Sequence, residues 1–154
     1  MSGDGAPSLA VDGKGLAVEI VAARWHTQVM DGLIADAIRA CDDAGAEFRL
    51  TRVPGCFEIP AVAAALVDKG ATVIVALGVV IRGATPHFEY VSGAVTRGLT
   101  DLARTERVAI GFGVLTCDDD AQAIARAGLP GSKESKGAEA AEAAMATARI
   151  LENL

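Results

Sequence analysis

The chain has 154 residues, of which 51% are hydrophobic and 22% charged, so it is long enough for one domain with a real core and is not a disordered polymer. Its formal charge of −6, with no offsetting basic cluster, argues against a surface for nucleic acid or anionic lipid. The three cysteines, Cys41, Cys56 and Cys117, are scattered and include no Cys-x-x-Cys pair, which argues against a disulfide framework or a structural zinc site.

Residues 1–14 are rich in Gly, Ser, Asp and Pro and show no periodicity, so they are expected to form a flexible arm before one domain over residues 15–154. Residues 16–23 form a continuous apolar run of strand length, the pattern of a strand covered on both faces. Residues 27–44 follow at helical spacing, with Val29, Met30, Leu33, Ile34, Ala37, Ile38 and Cys41 on one face and Gly45 as terminator. Residues 47–53 read as a second strand, closed by a turn at Pro54 and Gly55. The second helix has Pro60 in its first turn and Gly70 just past its end.

Residues 73–81 are the most apolar run in the chain and the expected central strand. Thr85 followed by Pro86 predicts an N-cap and first turn for a third helix that runs to about residue 104, with Tyr90, Val91, Ala94, Val95, Leu99 and Leu102 on its apolar face. Residues 108–115 are the fourth strand, and two helices near 119–127 and 136–151 complete the chain. Alternating strands and helices imply an α/β three-layer sandwich: a four-stranded parallel sheet with helices on both faces. No stretch is long enough to span a membrane and no basic start precedes a long apolar run, so the expected location is the cytoplasm.

In such folds ligands bind at the carboxyl ends of the strands. After strand one stands Trp25, the only tryptophan, which is either packing under a loop or a flat platform for an aromatic ring. After strand two come Gly55, Cys56, Phe57 and Glu58, where the glycine permits a tight turn and the Glu58 carboxylate complements a helix dipole whether or not it also meets a ligand. Cys56 reads as a small filler, or as a nucleophile without a visible base. After strand three, Gly83, Ala84 and Thr85 precede a helix N-terminus, where free amides and the dipole favour an anion. His87 adjoins that turn and is either structural or a proton-transfer group. Phe112 in strand four is most simply core, and Arg126 and Lys136, each taken alone, are solvated charges. The residues thus point to a site for an anionic, partly aromatic small molecule, without specifying a reaction.

Residues 53–60 (VPGCFEIP) and 76–91 (ALGVVIRGATPHFEYV) closely resemble the two signature segments of lumazine synthases. A third stretch, from FGVLT at 112–116 through Arg126-Ala127-Gly128 to Lys136-Gly137, also fits, so the resemblance covers about residues 16–151. It implies a flavodoxin-like fold and condensation of 5-amino-6-(D-ribitylamino)uracil with 3,4-dihydroxy-2-butanone 4-phosphate to 6,7-dimethyl-8-ribityllumazine. It implies that Trp25 stacks on the pyrimidine, where most members have Phe and some Trp. Cys56, Phe57 and Glu58 would hold the ribityl chain, and Val79, Val80 and Ile81 would meet the uracil edge. Gly83, Ala84 and Thr85 would hold the phosphate with Arg126, His87 would shuttle protons, and Phe112 and Lys136 would close the site from a neighbouring subunit.

Two positions depart from the pattern. Cys56 stands where alanine is common, and His26 stands where many members have Asn, which leaves its role open. The chemistry calls for no cofactor and no metal. The family forms pentamers, some of which close into 60-subunit shells. The loop at 129–135 looks about two residues longer than in shell-forming members, so a free pentamer is expected. Competing readings are a related riboflavin-forming enzyme, which would lack the phosphate site, and a flavodoxin-like flavin carrier or lumazine-storage shell.

Overall fold

The structure, a computed structural model, describes residues 9–154. Most of the expected arm lies outside the described residues. Its last residues are tied down: Gly13 N donates to Ala44 O at 2.8 Å, and Arg149 donates to the carbonyls of Asp12 and Lys14.

The elements follow the expected order: β1 (Ala17–Ala23), α1 (Thr27–Ala44), β2 (Glu47–Val53), a 3-10 turn (Cys56–Glu58), α2 (Ile59–Asp68), β3 (Val73–Ile81), α3 (His87–Glu106), β4 (Ala109–Cys117), α4 (Asp120–Ile124) and α5 (Lys136–Glu152). All strand pairs are parallel and the sheet order is β2-β1-β3-β4, a flavodoxin-like α/β sandwich. The order places β1 and β3 in the middle, which is why their sequences are apolar on both faces. Val18, Ile20 and Ala22 of β1 join the core under α1 and α5, while Val21 and Ala23 join the core under α2 and α3.

The alanine-rich α5 packs hard on the sheet. A Cβ on Gly111 of β4 would lie 1.9 Å from the Ala140 carbonyl oxygen, and one on Gly137 would lie 2.0 Å from that of Leu33. No side chain fits at either place, so the backbone of α5 meets that of β4 at Gly111 and that of α1 at Gly137 directly. The opposite layer is open. In the 20-residue α3 only Val95 and Leu99 are buried, and Tyr90, expected on its apolar face, is 75% exposed.

Several boundaries differ from expectation, and the helix expected near 119–127 spans only Asp120–Ile124. The N-cap of α3 is Pro86, not Thr85, so the helix starts at His87. Pro86 has no side-chain acceptor for the first-turn amides, and Thr85 stays in an exposed turn. Strand β4 runs two residues further, to Cys117, because it pairs with β3 to the end, Ile81 opposite Cys117. No described helix is long and apolar enough to cross a membrane.

Candidate active site

The carboxyl ends of β1, β2 and β3 open into one pocket of about 560 Å³. Trp25, Cys56, Phe57, Glu58, Val79, Val80, Ile81 and His87, all singled out from the sequence, line it together. So do His26, Gly55 and Val91. Both histidines of the chain therefore face the same space.

Each wall has a local cause. Strand β1 ends at Ala23, and the chain turns sharply into α1 through His26, whose φ of 59° is left-handed. A non-glycine residue pays for that conformation, and Asn and His tolerate it better than most. The bend leaves Trp25 69% exposed beside the pocket, with its ring edge 3.7 Å from where a Gly55 Cβ would sit. His26 Nδ1 also stands 3.9 Å from Asp120 Oδ1 at the start of α4.

Gly55 is extended, with φ of −148°, so left-handed freedom is not what the position uses. Its backbone N–H donates to Glu58 Oε2 at 2.8 Å, and a Cβ there would come within 3.2 Å of the same oxygen. Glu58 therefore has the capping role expected of it, through one carboxylate oxygen. Cys56 is buried against Gly78 and donates to the Val79 carbonyl at 3.5 Å. Burial pushes its thiol up to about 11, so it is protonated at neutral pH and fills space.

The turn of Gly83, Ala84 and Thr85 is exposed beside His87 at the start of α3. The remaining candidates stand elsewhere and do not line the pocket. Phe112 is not core as its strand position suggested. It is 45% exposed. Arg126 is half-buried after α4, where Nη1 donates to Gln122 O at 2.8 Å. Lys136 N donates to Arg126 O at 3.1 Å, which holds the two cationic residues together at the base of α5. Burial pulls the Lys136 ammonium down, but the hydrogen bonds it donates to Glu134 and Glu139, both at 2.7 Å, outweigh this and leave it above its ordinary value. Neither Arg126 nor Lys136 is a freely solvated charge.

Behind this segment, Asp36 of α1 accepts from Ser135 Oγ and from Arg39 Nη2. The clasp ties the loop before Lys136 to α1, and nothing in the local sequence pattern marked it. Among the described residues, no group of three or more His, Cys, Asp or Glu side chains is placed to hold a metal ion.

The sequence matches the family model for 6,7-dimethyl-8-ribityllumazine synthase over residues 15–152. It is similar to the 6,7-dimethyl-8-ribityllumazine synthases of Clavibacter michiganensis subsp. michiganensis, at 57% identity over 100% of this chain and 98% of that one, and of a Nocardioides species, at 61% over 100% and 97%. The synthase of Kineococcus radiotolerans is 60% identical over 96% of this chain and 92% of its own.

Proposed function

The chain belongs to the 6,7-dimethyl-8-ribityllumazine synthase family, a family of transferases of riboflavin biosynthesis, and from that membership we propose that it condenses 5-amino-6-(D-ribitylamino)uracil with 3,4-dihydroxy-2-butanone 4-phosphate. The observation that carries this reading is the single pocket in which an exposed tryptophan, a carboxylate, the end of a buried strand and a histidine converge.

The reaction needs two substrates held together and several proton transfers. The pyrimidine amine attacks the ketone, and water leaves as the imine forms. Phosphate is then eliminated. The ribityl-bearing amine closes the ring on the remaining carbonyl, and a second water leaves. Carbon, nitrogen and electron counts balance without a redox partner.

Trp25 offers the pyrimidine a flat face, and the ends of Val79, Val80 and Ile81 offer backbone groups to its polar edge. Cys56, Phe57 and Glu58 hold the ribityl chain, with the Glu58 carboxylate accepting hydrogen bonds from its hydroxyls. The amides of Gly83, Ala84 and Thr85 at the start of α3 take the phosphate with Arg126. An imidazole both accepts and donates protons, which suits His87 to the imine and elimination steps. Much of the acceleration would come from positioning the two substrates.

Arg126, Phe112 and Lys136 are absent from the pocket of one chain, which supports a site completed by an adjacent subunit. The sparsely buried α3 supports an oligomer. A free pentamer, in the cytoplasm, is the assembly that the longer 129–135 loop favours. Its mass would be about five times 15.7 kDa, and a megadalton particle in light scattering would refute it. Mixing the two substrates with the protein should produce lumazine fluorescence together with phosphate. Failure to form either product with intact protein would overturn the assigned reaction.

A further inference from the structure

We propose that Arg82 is a positioning residue for the phosphate turn: it braces residues 83–86 and neutralises two carboxylates that would otherwise repel the anion. The inference rests on the reading of Gly83, Ala84 and Thr85 as the phosphate cradle.

The turn itself is unsupported. Its residues are exposed, and a Cβ built on Gly83 meets nothing within 4 Å. Its shape must therefore be fixed at its ends, and Arg82 stands at one end and reaches the other. Its backbone N–H donates to Cys117 O at 2.9 Å, continuing the β3–β4 ladder one residue past β3. Its Nε donates to Asp118 Oδ1 at 3.0 Å, just after β4. Its Nη1 donates to Glu89 in the first turn of α3, and its guanidinium carbon lies 4.1 Å from the ring centroid of Phe88. One side chain thus links the end of β3, the end of β4 and the start of α3 around the turn.

The charges give the brace a second consequence. Glu89 is favoured by the dipole of α3, but a carboxylate in that first turn competes with an incoming phosphate for the same field. Asp118 adds a second negative charge nearby. The Glu89 and Asp118 carboxyls are both held below their ordinary range, by the hydrogen bond from Arg82 first of all. Both stay ionised, and among the described residues Arg82 is the cation paired with each of them. Exposed ion pairs add little to stability, so the fold alone gives this cluster little reason to exist. Two of the three guanidinium nitrogens of Arg82, Nε and Nη1, already donate to carboxylates, which favours a bracing role over direct binding of the phosphate.

The test is steady-state kinetics on the assembled full-length protein, with KM measured separately for each substrate at low and high salt. Wild-type protein that forms no lumazine would condemn the assigned reaction rather than this inference. With an active wild type, Arg82→Gln should raise KM for the phosphorylated ketone by about tenfold or more, with pyrimidine KM within about twofold, and salt should narrow the gap. The double variant Glu89→Gln with Asp118→Asn keeps acceptor oxygens for the brace and removes both negative charges. It should lower KM for the phosphorylated ketone by about twofold or more, and it remains informative if Arg82→Gln does not fold. An equal rise in both KM values, no rise in Arg82→Gln, or an unchanged or higher ketone KM in the double variant would overturn the proposal.

Discussion

Helices α5 and α3 lie on opposite faces of the same sheet and are buried to very different degrees. Of the 17 residues of α5, seven are buried, five of them alanine. Of the 20 residues of α3, two are buried. The difference separates two jobs. The α1/α5 layer is complete within one chain and holds the fold, whereas the α2/α3 layer borders the pocket and leaves apolar surface, including Tyr90 and Phe112, for something else to cover. If this division is right, a change in the closed layer should damage folding, and a change beside the pocket should damage chemistry alone.

The largest effect is expected in the closed layer. Gly111→Val forces side-chain atoms into the Ala140 carbonyl, a backbone group that cannot swing away. Overpacking ordinarily costs about 1–3 kcal/mol, and a backbone collision should exceed the upper figure. Soluble folded protein should be lost or its thermal midpoint should fall by more than about 10 °C. A midpoint near that of wild type would show that α5 can lift off the sheet, and the contrast between layers would weaken.

Beside the pocket the signature should reverse. His87 is exposed in the isolated chain, so His87→Ala should leave the thermal midpoint nearly unchanged. Turnover should fall by about ten- to a thousand-fold, with little loss of pyrimidine affinity. Unchanged turnover across several pH values would remove the proton-shuttle role.

The same division marks what the sequence could reveal. The closed layer was legible because an apolar run in β1 and helical spacing in α1 are direct imprints of burial on both faces. The strand-end rule then located Trp25, Glu58, the end of β3 and His87, which share one pocket. What stayed hidden depends on pairing. Glu19 interrupts the apolar run of β1 and is only 5% exposed, held by Arg49, its register partner on β2. Strand order, not local pattern, brings those two together. The left-handed bend at His26, which turns that side chain into the pocket, has no signal beyond the residue type. Gly111 likewise looks like any strand glycine until Ala140 is placed against it. Position alone read Arg126 and Lys136 as solvated, because their partners at Gln122, Glu134 and Glu139 are not marked in the local pattern, and it read Phe112 as core because it assumed a chain complete in itself.

A mixing experiment addresses that assumption directly. If the proposed site is shared, His87 and Arg126 meet in one pocket but come from neighbouring subunits. The variants His87→Ala and Arg126→Ala are then each impaired at every pocket of their own oligomer. Unfolded together in equal amounts and refolded, they should regenerate an intact pocket at about one interface in four, because a head-to-tail contact draws one residue from each neighbour. Activity should rise well above either parent, towards about a quarter of wild type. A pocket confined to one chain would recover nothing. Absence of recovery in particles shown by mass to contain both variants would therefore end the shared-site reading.

The smallest effect is expected at Cys56, where the open layer comes closest to behaving like core. Its side chain lines the pocket yet is 6% exposed, seated against Gly78, with Sγ donating to Val79 O. A nucleophilic thiol needs a lowered pKa, and this one is raised to about 11, by burial above all, with the charge of Glu58 adding to it. Its hydrogen bond to Val79 O pulls the other way and is outweighed. The neutral thiol is thus the form that the folded protein favours. The sign for stability follows: a folded pKa above the unfolded value contributes stability that is present below about pH 9 and lost as pH rises towards 11. Cys41, also raised to about 11 by burial, acts in the same direction, so wild-type stability should decline over that alkaline window. Cys56→Ala should make the decline shallower. At pH 7 to 8 the substitution removes only a filler at the pocket floor, and turnover should change by less than about threefold. A loss of tenfold or more at neutral pH, with the thermal midpoint intact, would make the thiol a participant in the chemistry and would reopen the assignment of His87 as the group that moves the protons.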